Sequence, residues 1–281
     1  MHKSLKIWTQ LGLGTAVAGG MLAACSGEAG EQGEAAQNPA RELGVAVSAG
    51  EGGESGEAGE AGEAGIDVTR AASDPVVFRS ALAVTEAHVI AARDAFAAGQ
   101  TREAAEMFAH PVSEVLVEMA PVFARQGVVD FSPLLTAASA AVFDGENTDQ
   151  INARYQRIIS ALRGAVGKAP ASSDGEGVIA AGVVADQIER AVAMHREAIG
   201  SSSYEPYLDG YGFSRAAANL FEVSQEAIQR ANPVIHTRIA EALRLLENAY
   251  PSAIRPQRLE VEQGALVSAS SKVMLALGNA Q

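Results

Sequence analysis

From Ser73 onward, apolar residues recur three and four positions apart, a period that predicts helices along most of the stretch to Gln281. Ser73-Asp74-Pro75 reads as a helix start, since proline early in a helix lacks only an N–H that the helix would not use. The helix it opens is expected to run to Ala98 before Gly99, with Val77, Ala81, Val84, His88, Ala91 and Ala95 on one buried stripe. Thr101 is expected to cap a short helix through Phe108, which His110-Pro111 then interrupts, because proline breaks the hydrogen-bond ladder. Further helices are expected over Pro111–Gln126, from Asp130 or Ser132 to Phe143, and over Thr148–Val166, the last with Ile151, Tyr155, Ile158, Ile159 and Leu162 inward. Gly167 to Gly177 is rich in Gly, Ser and Pro and reads as a loop between two halves, 73–167 and 178–281. Val178–Ile199, Tyr211–Arg230, Pro233–Asn248 and Arg258–Leu277 complete the second half. The expected fold class is all-α, with about eight helices in two packed helical bundles.

Before Ser73 the periodicity disappears. Residues 26–72 are dominated by Gly, Ala and Glu, with GEAGEAGEAG from Gly56 to Gly65. Such a segment buries too little apolar surface to offset its ordering entropy, about 1–2 kcal/mol per residue, and reads as a disordered tether. Nine glutamates and Asp67 against Arg41 and Arg70 leave this stretch with a net charge of −8. The whole chain carries −13, and Lys3 and Lys6 precede the tether, so the domain from Ser73 carries −7. Self-repulsion should keep the tether extended, and the sign excludes a nucleic-acid footprint, which has to be basic.

The start of the chain has a pattern of its own. Lys3 and Lys6 precede an apolar run from Leu11 to Leu22, which ends at Leu22-Ala23-Ala24-Cys25. The run is well short of the roughly 20 residues that a spanning helix needs, and reads as a signal peptide over 1–24. Leu22-Ala23-Ala24-Cys25 resembles the lipobox of bacterial lipoproteins, in which cleavage before the cysteine leaves it as a diacylated first residue. That resemblance implies lipidation at Cys25, the only cysteine in the chain, and a membrane anchor of two or three acyl chains. A lone thiol that is lipidated is also no liability in an oxidising envelope. The expected location is the cell envelope, with the domain facing the periplasm or the exterior. Ser26, where an aspartate favours inner-membrane retention in this family, points to the outer membrane if the organism has one.

Candidate chemistry rests on the residues that are costly in a helical core. His110 and Glu114 stand four apart, with Glu118 a turn further, so an imidazole and a carboxylate share one face. His88, with Glu86 two residues before it, meets them if the first two helices pair antiparallel. His88, His110 and Glu114 are therefore the candidate ligands of a divalent metal, which helical bundles hold between facing helices. A second cluster, YEPYLDGYGFSRAA, contains three of the five tyrosines, and Tyr204, Tyr207, Asp209 and Tyr211 are candidates for a ligand pocket or a partner surface. There is no GxSxG, P-loop, CxxC, HExxH or dinucleotide glycine fingerprint, so nothing supports an enzyme.

An alanine-rich, two-bundle helical domain with sparse His and Glu resembles the imelysin-like envelope proteins. That family is marked by GxHxxE, and the nearest stretches here are His110-Pro111-Val112-Ser113-Glu114, one residue longer, and His195-Arg196-Glu197, one shorter. The resemblance implies an envelope metal- or small-ligand-binding protein, and no functional residue is carried over from it. The residues alone lead first to a tethered interaction domain that presents its helices to another envelope protein. That reading expects an exposed apolar or tyrosine-bearing groove and no buried polar cluster. The metal reading expects His88, His110 and Glu114 to converge.

Overall fold

The computed structural model describes residues 65–279, and its first buried side chain is Ile66. The expected signal peptide, the expected lipidation at Cys25 and the expected tether as far as residue 64 lie outside the described residues. The packed domain starts ahead of Ser73, inside the stretch expected to be tether. Asp67 accepts from the Arg70 N–H at 2.9 Å and caps a single turn, α1 (Val68–Ala71). Gln126 Nε2 reaches the Ala72 carbonyl at 3.4 Å and ties this turn to the domain. Ile66 and Ala71 are buried in the core and Val68 and Ala72 pack against it, in a segment whose composition is otherwise that of a linker.

Helix α2 (Pro75–Ala97) begins where expected, with Asp74 Oδ1 accepting from Val76 N at 2.8 Å. Gly99 ends it with a φ of +81°, which an L side chain rarely adopts. Its stripe of Ala81, Val84, His88, Ala91 and Ala95 is buried, but so are Phe78, Leu82, Val89 and Ile90, so the helix is apolar nearly all round. Such a helix belongs in the middle of a domain. By length and composition α2 is apolar enough to cross a membrane, yet most of it is covered by its neighbours.

The expected break at Pro111 does not occur. Helix α3 (Thr101–Pro111) passes into a π-helical turn (Val112–Leu116) and on into α4 (Val117–Arg125). Pro111 removes one rung, and the wider turn absorbs it: the Val117 N–H reaches back five residues to the Val112 carbonyl. Thr101 is the first helical residue and not the cap, since the cap position falls at Gln100, which makes no side-chain bond there. Helices α5 (Ser132–Phe143) and α6 (Thr148–Val166) follow, the latter opened by a reciprocal pair of 3.0 Å bonds between Asn147 and Gln150. Its Ile151, Tyr155, Ile158, Ile159 and Leu162 are all buried, as their spacing requires.

The second half contains α7 (Glu176–Gly200), α8 (Glu205–Ala231), α9 (Pro233–Ala249) and α10 (Gln263–Gly278). Helix α8 starts at Glu205 and not at Tyr211, because Pro206 sits in its first turn and pre-sets the helical φ. Helix α10 starts at Gln263 and not at Arg258, so the loop after α9 is longer than expected. No strand occurs among the described residues, and the fold is all-α. Helix α2 packs against α3, α6, α7 and α8; α5 bridges α3 and α6; α7 and α8 form the most extensive pair, with α9 and α10 laid against them. One continuous core runs through both groups.

Candidate metal centre

Helix α2 carries His88 on the face that meets α3 and α8. Its Nδ1 lies 2.8 Å from the Val84 carbonyl one turn earlier. A carbonyl only accepts, so Nδ1 carries the hydrogen, and Nε2 presents its lone pair away from the helix. Burial pushes the imidazole below its usual pKa, against the opposing pull of that hydrogen bond and of Glu114, and so favours the neutral ring that a metal requires. Phe213 stands edge-on to the ring, with centroids 5.6 Å apart, and limits its rotation.

Three further side chains meet Nε2 from other elements. Asp209 Oδ1, on α8, is 3.6 Å away, and Glu114 Oε2, in the π-helical turn, is 3.8 Å away. His110, at the end of α3, faces the same point, with its ring centroid 6.2 Å from that of His88. His110 Nδ1 stands 3.9 Å from Glu114 Oε1 and 3.7 Å from Glu205 Oε1. One ligand atom from each of His88, His110 and Asp209 lies within 4.8 Å of the others.

These separations are too long for hydrogen bonds and too short for side chains that ignore one another. Ligands held about 2.0–2.2 Å from one ion stand roughly 3.0–3.5 Å from their neighbours, so His88, His110 and Asp209, with ligand atoms within 4.8 Å of one another, would have to draw in by up to about an ångström to close around a cation. Asp209 adds a reason for them to do so. Its Oδ1 is buried without a hydrogen-bond partner among the described residues. Burial pushes its carboxyl up to about 7, with Glu205 and Glu114 adding to the rise and His110 opposing it. An oxygen so placed is stabilised by a proton or by a cation. His110 and Glu114 retain some exposure, so the group has a solvent-facing side.

Local sequence accounts for each position. Gly212 lets α8 approach α2 closely: a Cβ there would stand 2.5 Å from the Ala87 carbonyl oxygen, next to His88. Glu205 and Asp209 are four apart on α8 and point the same way. The π-helical turn swings Glu114 towards His88 as well as His110. Such turns are frequent at functional sites.

Of the residues nominated from the sequence, His88, His110 and Glu114 are brought together. Glu86 is not among them, since two positions along a helix is about 200° of rotation. Asp209 belongs to this cluster and not to a tyrosine surface. Tyr207 and Tyr211 are buried, and neither forms a partner surface. The Tyr207 hydroxyl donates to the Ser252 carbonyl at 2.8 Å and the Tyr211 hydroxyl to Asp94 Oδ2 at 2.8 Å, while Tyr204 bonds the Ala253 carbonyl. Tyr204, Tyr207 and Tyr250, whose hydroxyl donates to the Ala191 carbonyl at 2.8 Å, pin the loop after α9 to α7 and α8, while Tyr211 ties α8 to α2. Three of these hydroxyls satisfy backbone carbonyls and that of Tyr211 a carboxylate, so each polar end in this crowded region has an acceptor. Glu205 escaped the sequence reading, although Pro206 as a helix-start signal would have placed Glu205 and Asp209 on one helical face.

No family model matches the chain, and neither a curated protein nor a solved structure matches it.

Proposed function

We propose that this chain is a lipid-anchored envelope protein whose helical domain binds a divalent transition-metal ion between His88 Nε2, His110 Nδ1, Glu114 and Asp209. The observation that carries this reading is the convergence of two imidazoles and two carboxylates from α2, α3, the π-helical turn and α8, one of the carboxylates with a buried, unpartnered oxygen. Mixed imidazole and carboxylate donors suit iron(II), zinc, manganese or copper(II), and favour them over calcium, which takes six or more oxygens. A tethered interaction module expects no buried polar cluster, so the geometry favours the metal reading. Cys25 and the signal peptide before it support the envelope location, as does the acidic tether, which would hold the site away from the membrane surface.

The test is elemental analysis of the full chain, purified without chelator, beside a His110→Ala, Glu114→Ala double variant. Near-stoichiometric iron, zinc, manganese or copper that the variant loses is the expected result. A metal-free protein whose melting temperature none of these ions raises refutes the reading.

A further inference from the structure

A cavity of about 430 Å³ lies between α2, α6, α7 and α8 on a different side of α2 from the metal cluster. Arg79, Leu82 and Glu86 line it, whereas His88 projects about 180° round the helix from Arg79. The volume is within the range of small-molecule sites, roughly 300–1,000 Å³.

Its walls are divided by chemistry. Leu82, Leu162 and Val183 form an apolar side. Facing them are the polar groups of Arg79, Glu86, Tyr155 and Arg163. Arg79 is held by an ion pair between its Nη1 and Glu176, yet its Nε is buried without a partner. The Glu86 carboxyl and the Arg163 guanidinium attract one another electrostatically without a hydrogen bond between them, and burial pushes the Glu86 carboxyl above its usual pKa. The Tyr155 ring is itself fixed, with the Arg93 guanidinium 4.3 Å from its centroid. The lining holds two guanidinium groups and three carboxyls. With Arg79 Nη1 paired to Glu176, the Arg79 Nε and Arg163 stand on one side of the charge balance and Glu86 and Glu222 on the other, beside an aliphatic wall, which is complementary to a molecule that carries one anion, one cation and an apolar body.

We infer that the cavity lined by Arg79, Glu86, Tyr155 and Arg163 binds an aliphatic α-amino acid or its short peptide. The guanidinium groups receive the carboxylate, since their planar N–H pairs match its two oxygens. Glu86 receives the ammonium group, and Leu82, Leu162 and Val183 cover the side chain. A carboxylic acid alone would place a second anion beside Glu86, and an amine alone would leave Arg163 and the buried Arg79 Nε without an acceptor. This site is independent of the metal centre.

Isothermal titration of the full chain with L-leucine and L-leucyl-L-leucine tests it, with 4-methylpentanoate and isoamylamine as probes lacking the ammonium and the carboxylate. Saturable one-to-one binding of the amino acid or the dipeptide is expected, at least about tenfold tighter than that of either truncated probe. Which of the two binds more tightly distinguishes a free amino acid from a peptide end. Glu86→Gln and Arg163→Gln should each weaken binding about tenfold while the helical circular dichroism is unchanged. Arg163 is exposed, so its replacement leaves the fold intact and keeps the test decisive if Glu86→Gln does not fold. Binding should persist in chelator. Absence of saturable heat up to about 20 mM ligand, or truncated probes that bind as tightly as leucine, or Arg163→Gln without effect, overturns the inference.

Discussion

Gly212 on α8 lies directly against the Ala87 carbonyl of α2, so close that a single added methyl group would come within 2.5 Å of that oxygen. This contact sets how near α8 comes to α2, and hence how near Asp209 comes to His88. The prediction is that Gly212→Ala lowers stability by about 1–3 kcal/mol, the usual cost of overpacking. It should also weaken metal binding, because the two ligands move apart. Thermal unfolding and metal titration of this variant measure both effects. A variant with wild-type melting temperature and affinity would mean that another contact sets the helix separation.

The ligands should not contribute equally. Asp209→Asn and His88→Ala remove buried groups that face the centre of the cluster, and each should reduce metal affinity about a hundredfold or more. Glu205→Gln lies at the rim, more than half exposed, and should cost about tenfold or less. Competition titration against a chromogenic chelator ranks them, and a larger effect at Glu205 than at Asp209 would place the ion elsewhere.

Asp209 also predicts a pH dependence for the metal-free protein. Its carboxyl titrates near 7 in the fold and near about 4 in the unfolded chain, so the folded state holds the proton more tightly. Its contribution is fully present below about pH 4 and is lost as the pH rises to about 7, by at most about 4 kcal/mol. His88, held below its usual pKa, acts in the opposite sense as the pH falls. Comparison with Asp209→Asn isolates the carboxylate: in chelator, the variant's advantage in melting temperature should grow from pH 4 to pH 8. A constant difference across that range would show that Asp209 is not so perturbed.

Tyr250 and Tyr207 should affect stability and leave the metal alone. Tyr250→Phe removes the donor to the Ala191 carbonyl and should cost about 1–3 kcal/mol, because the abandoned acceptor is buried. For a domain of this size that is a fall of several degrees in melting temperature. Unchanged metal affinity in the same variant would separate the tyrosine cluster from the site.

Ile66 is the first buried side chain among the described residues. Ile66→Ala should lower stability by about 2–4 kcal/mol, as for other buried isoleucines. Chemical denaturation measures it, and a change below about 0.5 kcal/mol would return Ile66 to the linker.

Short-range order could be read directly from the chain. The 3-and-4 spacing in Thr148–Val166, the Asp74-Pro75 start and the Gly99 stop each concern residues within a turn or two of one another, where backbone geometry leaves few choices. His110 and Glu114 were legible as a pair for the same reason. What the local pattern could not carry was the identity of their distant partners. Asp209 stood in a tyrosine-rich stretch and was grouped with its neighbours in sequence, whereas the early start of α8 and the small side chain of Gly212 bring it to His88. The π-helical turn that points Glu114 at both histidines replaced an expected break at Pro111, because the helices packed around it favour continuing the helix over ending it. By itself, then, the sequence determined the all-α class, most of the helices and three of the four proposed ligands, since these follow from local spacing. The tertiary structure alone decided the fourth ligand and the burial that raises its pKa, because both depend on how closely helices far apart in the chain approach one another.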